Sequence, residues 1–384
     1  MPFDFDQWTK TIDTCMRKVS VPGATAILAS SEGILRTHSY GYKNHQSKAS
    51  PTAKTLFPIA SLSKNFAGTV LLMMVQDAHL NLDDPIQKHL PDVQIGTKDL
   101  WGKLTCADLL THNSGFDESI LLERYALFQK GPKAVIEALK DYPQSFPYKT
   151  TYSYFNLTYT VIIPLIEKFY QLDWKTFLQT RLFDPLDFQH TTVDQETMLS
   201  RDHSNLYAFD AHGQVYEDNF YNIPDQLTLA GGLYSSAGGL GKWIKCHLQQ
   251  GAPLLDEDCF KKMYHPYTAI NPIPDYDQVR YATERYHLHH YGLGLKIGSV
   301  NGHALYYHEG AIKNARSILV IIPSQNRGAA ILTNIGDHDA ASVAMFYLMD
   351  EMLGLPEVDH IQYLCPVTRQ LRQNLMDPLK ERAA

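Results

Sequence analysis

The strand-like runs of this 384-residue chain stand at its two ends, and that placement limits the folds open to it more than any single motif. At the front, "GATAILASSEGILRTHSYGYKN" (23–44) breaks its apolar runs at Ser-Glu-Gly and again at Gly-Tyr, the pattern of a β-hairpin with a glycine in its turn. At the back, "YGLGLKIGSVNGHALYYHEG" (291–310) and "ARSILVIIPSQNRGAAILTNIG" (315–336) are strand-like again, and "HDAASVAMFYLMDEMLG" (338–354) reads as a closing helix. Between them "CADLLTHNSGF", "GPKAVIEALKDY", "NLTYTVIIPLIEKFY", "DWKTFLQTRLFD" and "GGLGKWIKCHLQQG" carry helical patterns with Pro and Gly stops. The expected fold is α+β: one antiparallel sheet formed from both chain ends, covered by helices, with a mostly helical insert beside it. Residues 1–98 and 268–356 are expected to form the sheet region and 99–267 the helical region, with 357–384 a polar tail on the surface, all in one intertwined domain.

Composition narrows the partners. A net charge of −7, with basic residues scattered, argues against a nucleic-acid groove and against affinity for anionic membranes. No apolar stretch approaches the ~20 residues of a membrane span. The start "MPFDFDQWTKTIDTCMRK" has acids where an export signal needs positive charge, so a cytoplasmic protein is expected. Cys15, Cys106, Cys246, Cys259 and Cys365 are odd in number, far apart and free of CxxC spacing, which indicates neither a disulfide framework nor a zinc site. "HLHH" (287–290) has no carboxylate companion at ligand spacing and reads as a polar loop. No metal and no cofactor are expected; the expected partner is a small-molecule or short-peptide substrate, and the oligomeric state is open.

Three short stretches carry chemistry. In "FPIASLSKNFAG" (57–68) Ser61 ends an apolar strand-like run before a helix, so it reads either as a helix cap or as a nucleophile. Lys64 follows three residues on, one turn away on the same helix face. A buried amine there can take the hydroxyl proton if desolvation or a second cation lowers its pKa. "TTYSYFNLTY" (150–159) sets Tyr154 and Asn156 two residues apart, facing the same way from an extended segment. A tyrosine beside cations can serve as a phenolate base; the plain alternative is an aromatic stripe of the helical insert. "YYHEGA" (306–311) ends a strand-like run with His308, Glu309, Gly310 and Ala311, where glycine lets the backbone approach a ligand and a plain loop is the alternative.

In this order and at these separations, the Ser-x-x-Lys of "IASLSK", the Tyr-x-Asn of "YSYFN" and a His-x-Gly in place of Lys-Thr-Gly resemble the serine β-lactamase and penicillin-binding-protein superfamily, in its class C-like branch. The phrases "VPGATAIL", "LNLDDPIQKHLPD", "LTCADLLTHNSGF", "LFDPLDFQHTTV", "AGGLYSSAGGLGKW" and "YGLGL" extend the resemblance over about 20–335. It implies that Ser61 is the acylated nucleophile, Lys64 its activating partner, and Tyr154 the proton carrier for the leaving group. It further implies that Asn156 holds Lys64 and the substrate amide, and that the backbone N–H groups of Ser61 and Ala311 form the oxyanion hole. His308 would line the site and bias the protonation of Tyr154.

The implied activity is that of a serine hydrolase cleaving a small ester or amide through an acyl-Ser61 intermediate. The alternatives are a β-lactamase or D-amino-acid peptidase, an acyltransferase, or a silent relative that binds a ligand.

Departures from the pattern sharpen this. Glu309 stands where β-lactamases place Thr or Ser, and its carboxylate is expected to repel substrates that carry one. Phe155 replaces a small residue, "GAIKNARS" lacks the glycines of the esterase branch, and Lys313 and Arg316 add two cations downstream that suit an anionic substrate group. No second carboxylate base for deacylation is evident, which leaves transfer to an alcohol or amine open.

Overall fold

A computed structural model of the chain describes residues 3–117, 131–210, 212–219, 228–271, 285–336, 339–356 and 358–363. Its strands are β1 (Gly23–Ser30), β2 (Gly33–Gly41), β3 (Phe57–Pro58), β4 (Thr191–Thr192), β5 (Tyr207–Phe209), β6 (Val215–Glu217), β7 (Tyr234–Ser235), β8 (Thr268–Ala269), β9 (Tyr286–Tyr291), β10 (Lys296–Val300), β11 (His303–Ile312), β12 (Ala315–Ile322) and β13 (Arg327–Thr333). Eight of them make one antiparallel sheet in the order β2-β1-β13-β12-β11-β10-β9-β8, joining the front hairpin to the back of the chain through β1 and β13.

The sheet is buried on both faces, which is why its central strands are apolar throughout. Ala24, Ala26 and Leu28 of β1, with Val320 and Ile322 of β12, pack under helix α1 (Phe5–Lys18) and the C-terminal helix (Ala340–Leu353). Ile27 and Ala29, with Leu319 and Ile321, pack instead on helix α2 (Ser63–Gln76) and the Ala237–Leu248 helix, where Phe66 stacks on Trp243 at 4.2 Å. Asp4 caps α1 by accepting from the Asp6 and Gln7 amides. Asn301-Gly302, both with positive φ, turn β10 into β11 and fix the register Val300↔His303 through Lys296↔Tyr307.

Two expectations need correction. "HLHH" is not a loop: it lies in β9, where Tyr286 and Leu288 face inward while His287 and His289 face out. "CADLLTHNSGF" is helical only over the single turn Ala107–Leu109. Its polar side chains take the backbone elsewhere: buried Asp108 accepts from the Thr105 backbone amide and hydroxyl and from Asn113 Nδ2, and His112 then adopts a left-handed conformation at φ 57°. The region 99–267 holds the Pro132–Lys140 and Ile162–Tyr170 helices but also the short strands β4 to β7. Most of the expected tail, 364–384, lies outside the described residues, as does 272–284 of the approach to β9. No described helix is long and apolar enough to cross a membrane.

Candidate active site

The site is built where α2 meets the sheet. β3 pairs with β7, and Ile59 donates its amide to the Leu233 carbonyl, so the chain arrives at Ala60 firmly held. Ala60 takes φ 47°, a left-handed conformation that costs a residue with a Cβ roughly 1 kcal/mol or more. The single turn Ala60–Leu62 then runs straight into α2. Ser61 thus sits inside the turn, half-buried, and does not cap the helix; the cap position is Leu62. Ser63 is the structural serine of the pair: it donates to the Ala60 carbonyl at 2.6 Å and accepts from the Leu233 amide at 3.1 Å.

Every residue of α2 from Ser63 to Met74 is buried, Lys64 completely. A buried amine needs hydrogen-bonding partners around it. Lys64 Nζ lies 3.1 Å from Ser61 Oγ, 2.5 Å from Asn156 Oδ1 and 2.6 Å from the Ala230 carbonyl. It also lies 4.8 Å from the centre of the Tyr154 ring and 5.2 Å from that of Tyr159. The structure therefore brings Ser61, Lys64, Tyr154 and Asn156 together. Phe155, between the last two, points the other way into the core against Phe116 and Tyr142, so its bulk does not enter the site.

The third stretch lies on β11. His308 is buried; its Nδ1 is 2.6 Å from the Glu309 carbonyl and its Nε2 is 2.8 Å from the Tyr291 hydroxyl. A carbonyl can only accept, so Nδ1 carries the proton and Nε2 accepts from Tyr291. Burial pushes the His308 pKa down to about 3, with the nearby Lys296 and Lys64 working in the same direction, so the ring is neutral. Gly310 is required by close approach: a Cβ there would lie 2.2 Å from the Ile59 carbonyl oxygen and 2.2 Å from Ser317 Oγ. The glycine thus admits the Ser61 turn against β11, where the sequence had pointed to a ligand. Ser317 reinforces that contact by donating to the Ile59 carbonyl at 2.7 Å.

Hairpin geometry sets the direction of the Ala311 amide. Two-residue turns close β10–β11 at Val300↔His303 and β11–β12 at Ile312↔Ala315. Hydrogen-bonded pairs alternate back from each closing pair, so even-numbered residues of β11 address β12 and odd-numbered ones address β10. The β10 pairing stops at Lys296↔Tyr307, and the backbone groups of Glu309 and Ala311 point past its end.

Glu309 is not a free anion. Lys296 Nζ lies 3.1 Å from its carboxylate, with side-chain exposures of 4% and 12%. The premise of like-charge repulsion from Glu309 is therefore removed. The downstream cations are engaged as well: Lys313 pairs with Asp218 at 2.9 Å, and Arg316 Nε donates to the Gly336 carbonyl at 2.5 Å.

Four neighbours of the site escaped the sequence reading: Ala230, Tyr291, Lys296 and His112. His112 is buried, and its ring centre lies 4.3 Å from that of Tyr154 and 4.5 Å from that of Tyr291. Its Nδ1 accepts from the Phe155 amide at 3.0 Å, and burial, with Lys64 next in effect, holds its pKa well below the ordinary value. His112 lies in "LTHNSGF", a phrase with no local mark of a bond to a segment more than 40 residues on.

An antiparallel sheet covered by helices on both faces, with a buried Ser-x-x-Lys pair, a Tyr-x-Asn segment and a His-x-Gly strand, defines a class. Residues 8–351 match the family model described as Beta-lactamase, and the chain belongs to that family. It is 23% identical over 343 residues to Protein flp of Staphylococcus aureus strain N315, a match covering 86% of this chain and 63% of the relative, so it spans under two thirds of that protein's length. Among solved structures it is similar to the octameric penicillin-binding protein homologue from Pyrococcus abyssi (TM-score 0.79, 22% identity, 96% of this chain and 80% of that one). It is also similar to the D-amino acid amidase from Ochrobactrum anthropi SV3 (TM-score 0.73, 20% identity, 91% of this chain and 98% of that one).

Proposed function

We propose that the chain is a serine hydrolase of small esters or amides that works through an acyl-Ser61 intermediate. The observation that carries this reading is the contact of the fully buried Lys64 Nζ with Ser61 Oγ at 3.1 Å, shared with Asn156 Oδ1 at 2.5 Å. A lysine in the core needs a reason to be there, and one turned onto a serine at a left-handed turn has one in proton transfer. Ser61 Oγ attacks the acyl carbon while its proton moves into the Lys64–Tyr154 pair. The oxyanion is received by the Ser61 and Ala311 amides. Collapse breaks the bond to the leaving alcohol or amine, which takes its proton from Tyr154, and water then repeats the steps in reverse to free Ser61. Asn156 holds Lys64 and orients the substrate amide.

The amidase named among the similar structures supports an amide or ester substrate, and the paired Glu309 leaves substrates with a carboxylate admissible. The test is intact-mass measurement after mixing with a panel of activated esters, D-Ala peptides and a penicillin. The wild type gains one acyl group, and Ser61→Ala, still folded, gains none. Acylation of Ser61→Ala at the wild-type rate overturns the assignment.

A further inference from the structure

His112 holds the chain on both sides of Tyr154. The Ser153 amide donates to the His112 carbonyl at 2.9 Å, and the Phe155 amide donates to His112 Nδ1 at 3.0 Å. One residue thus fixes the Tyr152–Ser153 peptide just before the tyrosine and the Tyr154–Phe155 peptide that follows it, and its ring lies beside the phenol at 4.3 Å with a tilt of 33°. The left-handed backbone at φ 57° lets a single residue present carbonyl and side chain to the same segment. Histidine and asparagine adopt that conformation more readily than most side chains. The next residue continues the clamp, since the Asn113 carbonyl accepts from the Lys149 amide at 2.8 Å.

The ring has no other hydrogen-bonding duty. Nδ1 accepts, so the proton of the neutral ring is on Nε2, and that buried atom has no hydrogen-bond partner among the described residues. It is enclosed by Tyr152, Tyr159 and Tyr291. A polar ring nitrogen left unsatisfied in the core is a cost of about 1 kcal/mol or more that a purely packing residue would not carry.

We propose that His112 is the positioning residue of the reaction, holding Tyr154 beside Lys64 by clamping the Ser153 and Phe155 amides. The inference rests on the reading of Tyr154 as proton carrier. His112 does not touch the reacting atoms; it acts through the tyrosine.

The test compares three variants with the wild type on an activated ester. His112→Phe keeps a ring of similar size but removes the acceptor, leaving the Phe155 amide unpaired. It should lower kcat roughly 30-fold or more while KM stays within about threefold, as for loss of an interaction expressed in the transition state. His112→Asn puts an oxygen close to where Nδ1 stood and tolerates the left-handed backbone, so it should restore kcat to within about fivefold of wild type. Wild-type kcat in His112→Phe overturns the inference, as does His112→Asn no better than His112→Phe, or a change confined to KM.

Tyr154→Phe separates two failures. A crippled Tyr154→Phe beside a fully active His112→Phe overturns the positioning role alone, whereas a fully active Tyr154→Phe overturns the reading of the tyrosine and the inference with it. If His112→Phe does not fold, nitrogen shifts of 15N-histidine-labelled wild-type protein decide. An unprotonated, hydrogen-bonded Nδ1 is expected throughout pH 5–8, and a proton on Nδ1 overturns the clamp.

Discussion

Two lysines lie in the interior near the site, and they are held in opposite ways. Lys64, at the start of α2, has a hydroxyl, an amide oxygen and a carbonyl within hydrogen-bonding distance, and these three are neutral. Lys296, at the start of β10, faces the carboxylate of Glu309 at 3.1 Å. Burial is nearly the same, 0% and 3% exposed, so the partners make the difference. An amine among neutral acceptors can gain and lose a proton without stranding a counter-charge. An amine beside a carboxylate is locked, because removing either charge leaves the other uncompensated in a poorly hydrated place. The first arrangement suits proton traffic and the second suits structure.

Replacing each lysine with methionine tests this contrast. On the proposed mechanism, in which Lys64 takes part in moving the Ser61 proton, Lys64→Met should reduce the acylation rate by about 10³-fold or more. Rapid-quench mass measurement of acyl-enzyme checks it. Lys296→Met should acylate at a rate much nearer wild type but unfold more easily in urea, by about 3 kcal/mol, because the largely buried Glu309 carboxylate loses its Lys296 counter-charge. Adding Glu309→Gln to Lys296→Met should recover most of that loss, since the pair is then neutral on both sides. The contrast breaks if Lys296→Met slows acylation as deeply as Lys64→Met does while remaining stable.

A smaller effect is expected where the two regions touch. Gly310→Ala places a methyl group 2.2 Å from the Ile59 carbonyl oxygen and from Ser317 Oγ, so β11 and the Ser61 turn must separate. Overpacking of this kind costs about 1–3 kcal/mol. Because the Ala311 amide moves with β11, acylation should slow roughly tenfold. An unchanged rate in a folded Gly310→Ala protein shows that Ala311 does not serve the oxyanion.

What could be read in advance follows from how local the causes are. The strands β1, β12 and β13 declare themselves because both sheet faces are buried, and their apolar runs leave no other reading. The Ser61–Lys64 contact is equally local, being fixed by one helical turn. β9 was hidden by its three histidines, although Tyr286 and Leu288 alternate inward until the register shift at Ile297/Gly298. The Lys296–Glu309 pair was in principle within reach. Asn301-Gly302 sets the β10–β11 register, which puts Lys296 opposite Tyr307 and Glu309 two residues further along the same face. His112 was out of reach, because its bonds to Ser153 and Phe155 span 41 and 43 residues of chain. Nothing in its local phrase announces a ring nitrogen used as a backbone acceptor.

The last predicted effect concerns the neutral histidine between the two lysines, and it appears only on acidification. His308 in the folded protein takes up a proton only near pH 3, whereas in the unfolded chain it does so near 6.5. Its folded pKa is therefore the lower one. As pH falls below 6.5 the unfolded state binds a proton that the folded state refuses, and stability is lost progressively down to about 3. The slope for one such group approaches 1.4 kcal/mol per pH unit. His247 and His112 add the same sign, both through burial. Glutamine offers an oxygen close to Nε2, so His308→Gln should still accept from the Tyr291 hydroxyl. In urea titrations the variant should match the wild type at pH 7.5 and lose stability less steeply between pH 6 and 4. The acid limb of kcat/KM should be the same in both proteins, since a ring that stays neutral contributes no charge change there. Equal slopes in the urea series, or an acid limb that vanishes in His308→Gln, show instead that His308 is protonated in the working protein, and that Lys64 shares its site with a second cation.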